Sequence, residues 1–411
     1  MGSVGSGALR ADLDRPGAGR LRAAAARWPL AFLLWLTPSV GQLIKFAGPR
    51  GSLLLIGVAA IGIAIVLAWT MTPPAQRRGA GPPWSLLVAV VLCAVFALVY
   101  PIAVSGLIGG GSDRADALDV TSAALLAGRL LYEPLTYLGN PPTPMPGAVI
   151  LAAPFHLIGG AALQNVFWFP LFCALAPRIV GDRRGAAAYL AIFVLGCPGV
   201  LIDFVTGSDF ATNAIYVIIS AWLMTRLAPD ERWPLRFLAC LFFACTLSAR
   251  PIYLVEGPIV AGVMLRREGL RRMIEAMAVV AVLLAMINGP VWAAQPSRFP
   301  LLLHASLLNI YPAWVHSGVL IPAISIAIAC SALFIDLPRG RMWLLSAISL
   351  APVVAPTLVF IAVRHGFDRR LVVLDSYTLP LALFAGLWLL RPPADEPQST
   401  RAKPAVGASS P

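Results

Sequence analysis

Charged side chains are scarce in this 411-residue chain, since Asp, Glu, Lys and Arg make up 12% of it and 59% of the residues are hydrophobic. One water-soluble core could not bury that much apolar material, which excludes an ordinary soluble globular domain. Acidic residues are outnumbered, 19 against 31 Lys and Arg. The basic residues occur in small groups between apolar runs, so the net charge of +12 does not predict a nucleic-acid partner.

Residue patterns that hold metals or nucleotides are also missing. The cysteines fall inside apolar runs without CxxC or Cys/His spacing, so we interpret them as buried free thiols: Cys93, Cys173, Cys197, Cys240, Cys245 and Cys330. No Gly-rich phosphate loop follows a strand pattern, and Gly109-Gly110-Gly111 is interpreted as the flexible end of a span. The sequence therefore predicts no cofactor and no metal ligands, and it leaves a requirement for a divalent metal open.

Apolar runs of the length of a bilayer crossing recur along the chain. We place them at about 28–46, 53–72, 84–108, 163–180, 186–205, 211–227, 274–294, 317–336, 343–363 and 371–390. A further run, 236–266, is interrupted by Arg250-Pro251 and is interpreted as two short helices, because this dipeptide is costly inside a helix in a bilayer. The sequence thus predicts an all-α, polytopic transmembrane helical bundle of about 12 spans.

The arginine-rich segments fall on one side of this threading, which places both termini in the cytoplasm by the positive-inside rule. We therefore expect disordered cytoplasmic tails at 1–27 and 391–411, on either side of a transmembrane domain over 28–390. The largest loop on the opposite, extracytoplasmic side covers 109–146. This topology requires the apolar segment 147–159 to be re-entrant or interfacial, because a full crossing there would place the arginines that follow on the extracytoplasmic side.

The 109–146 loop carries the polar residues best suited to chemistry. Asp113, Asp116 and Asp119 recur every three residues, so in a helix they would share roughly one face. Such a carboxylate cluster is a candidate general base, and equally it is a set of solvated acids at the end of a helix. A short amphipathic helix is predicted at 123–131, and the Pro-rich stretch 139–146 cannot be helical.

Further candidates lie at the other predicted outward turns. Arg250, at the helix interruption, could grip a phosphate with two hydrogen bonds, and an arginine reaching to the interface is an equal alternative. Glu256 is expected to face Arg250 or a cavity, because an unpaired carboxylate in a bilayer is costly. Asp203 and Asp209 flank an outward turn, with Asp209 the secondary candidate acid. The outward loop before the last span carries Arg364, His365, Arg369 and Arg370.

The order of these features resembles that of the polyprenol-phosphate-sugar-dependent glycosyltransferases of the GT-C superfamily, most closely their mannosyltransferase-like branch. Acidic residues just after a span are followed by ALLAGRLLYEPL, and a Pro-Pro stretch then leads into GAVILAAPFHLIG. The match is close over 109–160 and extends elsewhere only in hydropathy. Two departures stand out: the family's aromatic-Pro-Pro is Asn140-Pro141-Pro142 here, and its aspartate position falls on Arg114.

The resemblance implies a GT-C-like fold in a bacterial inner (plasma) membrane. It implies transfer of a sugar from a polyprenyl-phosphate donor to a saccharide or glycolipid acceptor of the cell envelope, with a loop aspartate as general base. The catalytic candidates are Asp113, Asp116 and Asp119. The candidates for substrate binding are Arg250, Asn140, Tyr132, Asp209, Arg364, His365 and Arg369. Which aspartate is the base, which sugar is moved and which proteins are partners stay open.

Two other functions are compatible with the residues. A transporter or flippase of lipid-linked saccharides is one, because broken helices and intramembrane Arg and Glu also mark transport sites. The other is a non-catalytic membrane subunit of an envelope assembly complex. Substitutions discriminate the transferase from the transporter. A transferase is expected to lose its product when Asp113 or Asp116 is replaced, whereas a transporter is expected to tolerate that change better than changes at Arg250 or Glu256.

Overall fold

A computed structural model of the protein describes residues 29–71, 84–108, 112–227, 232–301, 311, 316–337, 339–365 and 370–390. Within these ranges every regular element is helical, which confirms the all-α prediction. None of the six cysteines forms a disulfide bond, as predicted, and four of them are buried, whereas Cys93 and Cys330 are only partly buried. The predicted cytoplasmic tails, 1–27 and 391–411, lie outside the described residues.

The helices follow one another with short connections. In chain order they are α1 (Val40–Met71), α2 (Trp84–Val104), α3 (Arg114–Leu126), α4 (Pro146–Leu157), α5 (Leu163–Val180), α6 (Arg183–Ala191), α7 (Pro198–Val205), α8 (Phe210–Met224), α9 (Trp233–Leu247), α10 (Glu256–Glu268), α11 (Leu270–Ala294), α12 (Ser317–Cys330), α13 (Arg339–His365) and α14 (Arg370–Leu389). A π-helical turn, Ile192–Gly196, precedes α7, and a 3-10 turn, Pro251–Val255, precedes α10.

Several of these helices are long and apolar enough to cross a membrane. In the part of the chain that the structure describes there are five: Pro29–Thr70, Leu86–Val104, Leu163–Val180, Leu270–Ala294 and Arg341–Phe360. A sixth results if Arg183–Gly196 and Pro198–Val205, which meet at 73°, form one broken span. Shorter apolar helices include Phe210–Met224 and Trp233–Leu247. The chain is thus a helical membrane protein, and the total of about 12 spans stays a prediction.

The first two predicted spans, 28–46 and 53–72, belong to one helical run in the structure. That run, Pro29–Thr70, is interrupted at Gly48, whose backbone has φ 68° and ψ 173°. Glycine adopts this conformation without strain, and the following Pro49 cannot continue the hydrogen-bond ladder. The boundary between the two predicted spans is therefore present as a local break within that helical run.

A second break confirms the predicted interruption at Arg250-Pro251. Helix α9 ends at Leu247, residues 248–250 are not helical, and the 3-10 turn begins at Pro251. Proline has no backbone N–H to donate, so the chain has to leave helical geometry before it. A similar non-helical connection, 206–209, separates α7 from α8. Both breaks carry buried polar side chains.

Helix α4 packs against the break at 248–250, and this contact depends on a glycine. The backbone N–H of Gly147 donates to the carbonyl oxygen and the Oγ of Ser248, at 3.2 and 3.1 Å. A Cβ at Gly147 would lie 2.0 Å from the carbonyl oxygen of Cys245. The segment predicted as re-entrant or interfacial is therefore largely the helix Pro146–Leu157, whose first half is buried against α9. Its depth in a membrane stays a prediction.

This packing predicts that Gly147→Ala destabilises the protein. A backbone oxygen cannot move aside as a flexible side chain can, so the cost is expected to reach about 1–3 kcal/mol or more. Gly289→Ala, in α11, is the matched control, because no atom lies within 4 Å of a Cβ placed there. Thermal unfolding of the detergent-solubilised variants measures the difference. Equal melting temperatures for the two variants would contradict the close packing of α4.

Candidate functional site

The three predicted catalytic aspartates lie at the start of α3 and within it. Asp113 is the N-cap residue, and Asp116 and Asp119 follow in the first turns. Each is neither fully buried nor fully exposed. The helix predicted at 123–131 is present only over 123–126, as the end of α3 (Arg114–Leu126), and the helix stops before Gly128, whose φ is 63°. A glycine in this left-handed conformation is a common helix end.

Asp113 and Asp116 hold the Pro-rich loop against α3. The Oδ2 atom of Asp113 accepts hydrogen bonds from Thr136 Oγ1 at 2.8 Å and from Asn140 Nδ2 at 2.7 Å. The Oδ2 atom of Asp116 accepts the backbone N–H of Tyr137 at 2.7 Å. The structure thus brings two of the predicted site residues, Asp113 and Asn140, into direct contact. Among the described residues, no donor binds the Oδ1 atom of either aspartate.

Asp119 has a different partner from the other two acids. Its Oδ1 atom lies 2.8 Å from Nδ1 of His156 and accepts the backbone N–H of Ala161 at 2.7 Å. These contacts join α3 to the end of α4 and to the turn before α5. The three carboxylates therefore do not converge on one point. His156 was not among the predicted site residues, because a single histidine in an apolar helix carries no motif.

Tyr132, a predicted substrate-binding residue, is buried in the loop rather than displayed on it. Its hydroxyl donates to the carbonyl oxygen of Pro144 at 2.9 Å, and its backbone N–H donates to Gln295 Oε1 at 3.1 Å. The guanidinium of Arg298 donates to its carbonyl oxygen at 3.2 Å. Burial raises the pKa of the Tyr132 phenol. In this structure Tyr132 anchors the loop to the segment that follows α11.

A second group of charged residues lies at the two helix breaks. Arg250 is 2% exposed, and its Nη2 atom donates to both carboxylate oxygens of Asp209, at 2.6 and 2.8 Å. Asp209 also accepts from Asn213 Nδ2 at 2.8 Å. The Nε atom of Arg250 is buried and has no hydrogen-bond partner in the described part of the chain. The two predicted site residues Arg250 and Asp209 are therefore partners of each other.

Glu256 was predicted to face either Arg250 or a cavity, and the structure does not show the pairing with Arg250. Its Oε2 atom accepts a hydrogen bond from Ser346 Oγ at 2.9 Å, and its Oε1 atom has no partner within the described ranges. The 3-10 turn Pro251–Val255 separates the two residues, and Arg250 instead binds Asp209, the N-cap residue of α8.

Arg114 connects the acidic segment to the helix breaks. Its Nη1 atom donates to Ser376 Oγ at 2.8 Å and to Ser208 Oγ at 3.2 Å, and it lies 3.7 Å from Asp203 Oδ1. Burial lowers the pKa of the Arg114 guanidinium, and the Asp203 carboxylate opposes that shift. Arginine remains charged under both influences because its starting pKa is so high. The structure thus assigns Arg114 a position that the aspartate spacing did not indicate.

Both guanidiniums contact the same aromatic ring. The central carbons of Arg114 and Arg250 lie 4.4 and 4.2 Å from the ring centroid of Phe210. The ring of Tyr377 packs edge-on against Phe210, with 4.8 Å between centroids. Contact with an aromatic face stabilises a cation that has lost its water. We call this group, formed by Arg114, Asp203, Asp209, Phe210 and Arg250, the charge cluster.

The remaining candidates lie elsewhere. Arg364 and His365 are the last two residues of α13, so these two positions of the predicted outward loop 364–370 are helical. Arg369 lies outside the described residues.

Two small pockets lie away from this region, and the described residues offer no group of metal ligands. One pocket is lined mainly by apolar side chains of α6, α7 and α14, and another is lined by residues that include Arg236 and Glu268. Neither is lined by the aspartates or by the charge cluster. Among the described residues no group of three or more His, Cys, Asp and Glu side chains could hold a metal ion.

Comparisons of the chain with protein-family models, with curated proteins and with solved structures find no match. The class of protein is therefore defined by the geometry alone. It is an all-helical membrane protein in which an acidic segment adjoins a buried charge cluster.

Proposed function

We propose that the protein is a membrane glycosyltransferase that moves a sugar from a polyprenyl-phosphate donor to an extracytoplasmic acceptor of the cell envelope. The observation that carries this proposal is the juxtaposition of Asp113 and Arg114 at the start of α3. Asp113 offers a partly accessible oxygen without a hydrogen-bond donor, and Arg114 offers a guanidinium at the charge cluster. Sugar transfer from a phosphate needs both a base and a positive charge.

The proposed reaction gives each group one task. Asp113 takes the proton of the acceptor hydroxyl while that oxygen attacks the anomeric carbon of the donor sugar. The bond between the anomeric carbon and the phosphate oxygen breaks, and the polyprenyl phosphate leaves with the bonding electrons. Thr136 and Asn140 hold the other oxygen of Asp113, so the base is oriented before the acceptor arrives.

The proposal includes the finer features of the fold. These are a GT-C-like arrangement of about 12 spans, with both termini in the cytoplasm of a bacterial inner (plasma) membrane. In that topology the Pro-rich loop and the start of α3 face the extracytoplasmic side, where a lipid-linked donor presents its sugar. The donor reaches the site within the lipid, so a nucleotide-binding domain is not required.

A transporter or flippase of lipid-linked saccharides is the second candidate, and the charge cluster itself favours it. Buried Arg and Asp at interrupted helices are typical of transport sites as well as of catalytic ones. The two candidates differ in what they require of the acidic segment. A transporter would tolerate a neutral residue at position 113, whereas the transferase would not.

The direct test is turnover of labelled donors. Purified protein in nanodiscs is incubated with a panel of polyprenyl-phosphate sugars, each labelled in the sugar, together with glycolipid acceptors from a bacterial envelope. The proposal expects label to move from donor to acceptor and polyprenyl phosphate to be released. A parallel assay in proteoliposomes follows movement of the intact donor across the bilayer. Movement of the donor across the bilayer without its cleavage would favour the transporter over the transferase. If the donor is neither cleaved nor moved, both candidate functions are contradicted.

A further inference from the structure

Arg114 keeps one edge of its guanidinium available. Its polar contacts with the described residues are all made by Nη1, so Nε and Nη2 have no acceptor there. The side chain is 22% exposed, compared with 3% for Arg250. The Nε and Nη2 atoms of an arginine form two parallel donors that match two oxygens of a phosphate. This geometry suits an anion that approaches from outside the cluster.

Arg250 is placed differently. Its Nη2 atom already binds both oxygens of Asp209, and an incoming phosphate would have to displace that buried carboxylate. Its Nε atom nevertheless is a buried donor without an acceptor among the described residues. Such donors are rare in folded proteins, because leaving one unpaired is costly. The charge cluster therefore contains, in addition to Arg114, a second guanidinium, that of Arg250, with a donor that has no acceptor among the described residues.

The surroundings of Arg114 orient its guanidinium without neutralising it tightly. Two hydroxyl groups, of Ser208 and Ser376, accept from Nη1, and Phe210 contacts the guanidinium. The nearest carboxylate, Asp203, lies 3.7 Å away, whereas Asp209 lies 2.6 Å from Arg250. A cation held by neutral groups and a distant acid retains more attraction for a new anion than one in a close ion pair.

We propose that Arg114 binds the phosphate group of a lipid-linked donor, with the Asp209–Arg250 pair as a positioning unit behind it. From the sequence, Arg250 was the candidate for this role, with an arginine reaching to the interface as an equal alternative. Because Arg114 has two donors without an acceptor among the described residues, we assign the role to Arg114. The inference deepens the proposed function and rests on it for the identity of the donor. Binding of a phosphate-bearing lipid does not itself require sugar transfer, so the two can fail separately.

The experiment measures ligand binding to the purified full chain in nanodiscs. The probes are a polyprenyl monophosphate, the uncharged polyprenol of the same length and inorganic phosphate. Wild-type protein is expected to bind the polyprenyl monophosphate best, inorganic phosphate more weakly, and the polyprenol least. Tight binding of inorganic phosphate alone would overturn the lipid as ligand. Equal binding of monophosphate and polyprenol would overturn the phosphate subsite.

Substitutions then assign the binding to Arg114. Arg114→Gln is expected to weaken binding of the polyprenyl monophosphate about tenfold or more, because hydrogen bonds between charged groups are lost. Arg114→Lys is expected to be intermediate, because lysine keeps the charge but not the two parallel donors. Arg129→Gln is the matched control, since Arg129 is exposed on the loop after α3 and is expected to leave binding unchanged. Equal affinities for Arg114→Gln and wild type would overturn the assignment.

Loss of folding is separated from loss of binding by a double variant. Arg114→Gln leaves the buried Asp203 without its cation, whereas Arg114→Gln with Asp203→Asn removes both charges and is expected to melt near the wild-type temperature. If this folded double variant binds the polyprenyl monophosphate as the wild type does, the inference fails. If wild-type protein binds through Arg114 but transfers no sugar, the proposed function fails alone. If sugar transfer is present and Arg114→Gln leaves the KM for donor unchanged, the inference fails alone.

Discussion

Asp209→Asn is expected to destabilise the protein by about 3–5 kcal/mol, because it leaves the Arg250 guanidinium buried without a counter-charge. Asp209 is 1% exposed, and both of its carboxylate oxygens accept from Nη2 of Arg250. Asparagine keeps one acceptor oxygen and turns the other into an NH2 group that faces the guanidinium. The buried cation therefore loses its charge partner and gains a repulsive donor.

Two controls separate the buried pair from charge pairing in general. Glu275→Gln breaks the exposed Arg271–Glu275 pair, whose side chains are 91% and 58% exposed, and is expected to cost only about 0.2–1 kcal/mol. Asp209→Asn with Arg250→Gln removes both buried charges and is expected to recover part of the loss. Thermal unfolding in detergent gives the comparison. An Asp209→Asn variant that melts like Glu275→Gln would show that Asp209 does not neutralise Arg250.

The helical architecture and the helix breaks could be predicted because their causes are local. Apolar runs and Arg250-Pro251 act on the residues around them, and the structure places a break at Arg250-Pro251 and another, at Gly48, between the predicted spans 28–46 and 53–72. The number of membrane crossings, in contrast, cannot be predicted from the local sequence alone. A helix such as α8 is apolar and buried on almost all sides, so its hydropathy does not distinguish a core helix from a span.

The partners of the charged residues could not be predicted, since they come from distant parts of the chain. Asp209 and Arg250 are 41 positions apart, and Arg114 and Ser376 are 262 positions apart. No period or motif links such residues in a single sequence. Asp113 and Asn140 are 27 positions apart, and both became candidates through the order of features in the loop. That order indicated the contact region but not the hydrogen bond.

The spacing of the aspartates was informative only in part. Three residues turn an α-helix by about 300°, so acids spaced by three drift by about 60° at each step. Asp113 and Asp116 consequently face the same loop, whereas Asp119, a further step along, contacts His156. Arg114, which directly follows Asp113, is directed to the charge cluster. Helical rotation thus explains why adjacent residues serve different parts of the site.

Asp113→Asn is expected to lower kcat for sugar transfer by about 10²–10⁴-fold while the melting temperature stays unchanged. Both hydrogen bonds to Asp113 end on Oδ2, from Thr136 and Asn140. The amide oxygen of asparagine can occupy that position and accept both. Its NH2 group then replaces Oδ1, where the proposed base takes the proton, and an amide nitrogen cannot act as that base. Turnover of the labelled donor that the wild type uses is the measurement.

Asp116→Asn is the matched comparison, since Asp116 lies one turn further along α3 and only fixes the backbone N–H of Tyr137. It is expected to retain most of the turnover, because the amide oxygen can accept that bond. If Asp116→Asn abolishes transfer while Asp113→Asn does not, the base is Asp116, and the pairing of Asp113 with Arg114 no longer carries the function. Since Asp113→Asn preserves the loop contacts, a fall in turnover at constant stability separates proton transfer from loop positioning.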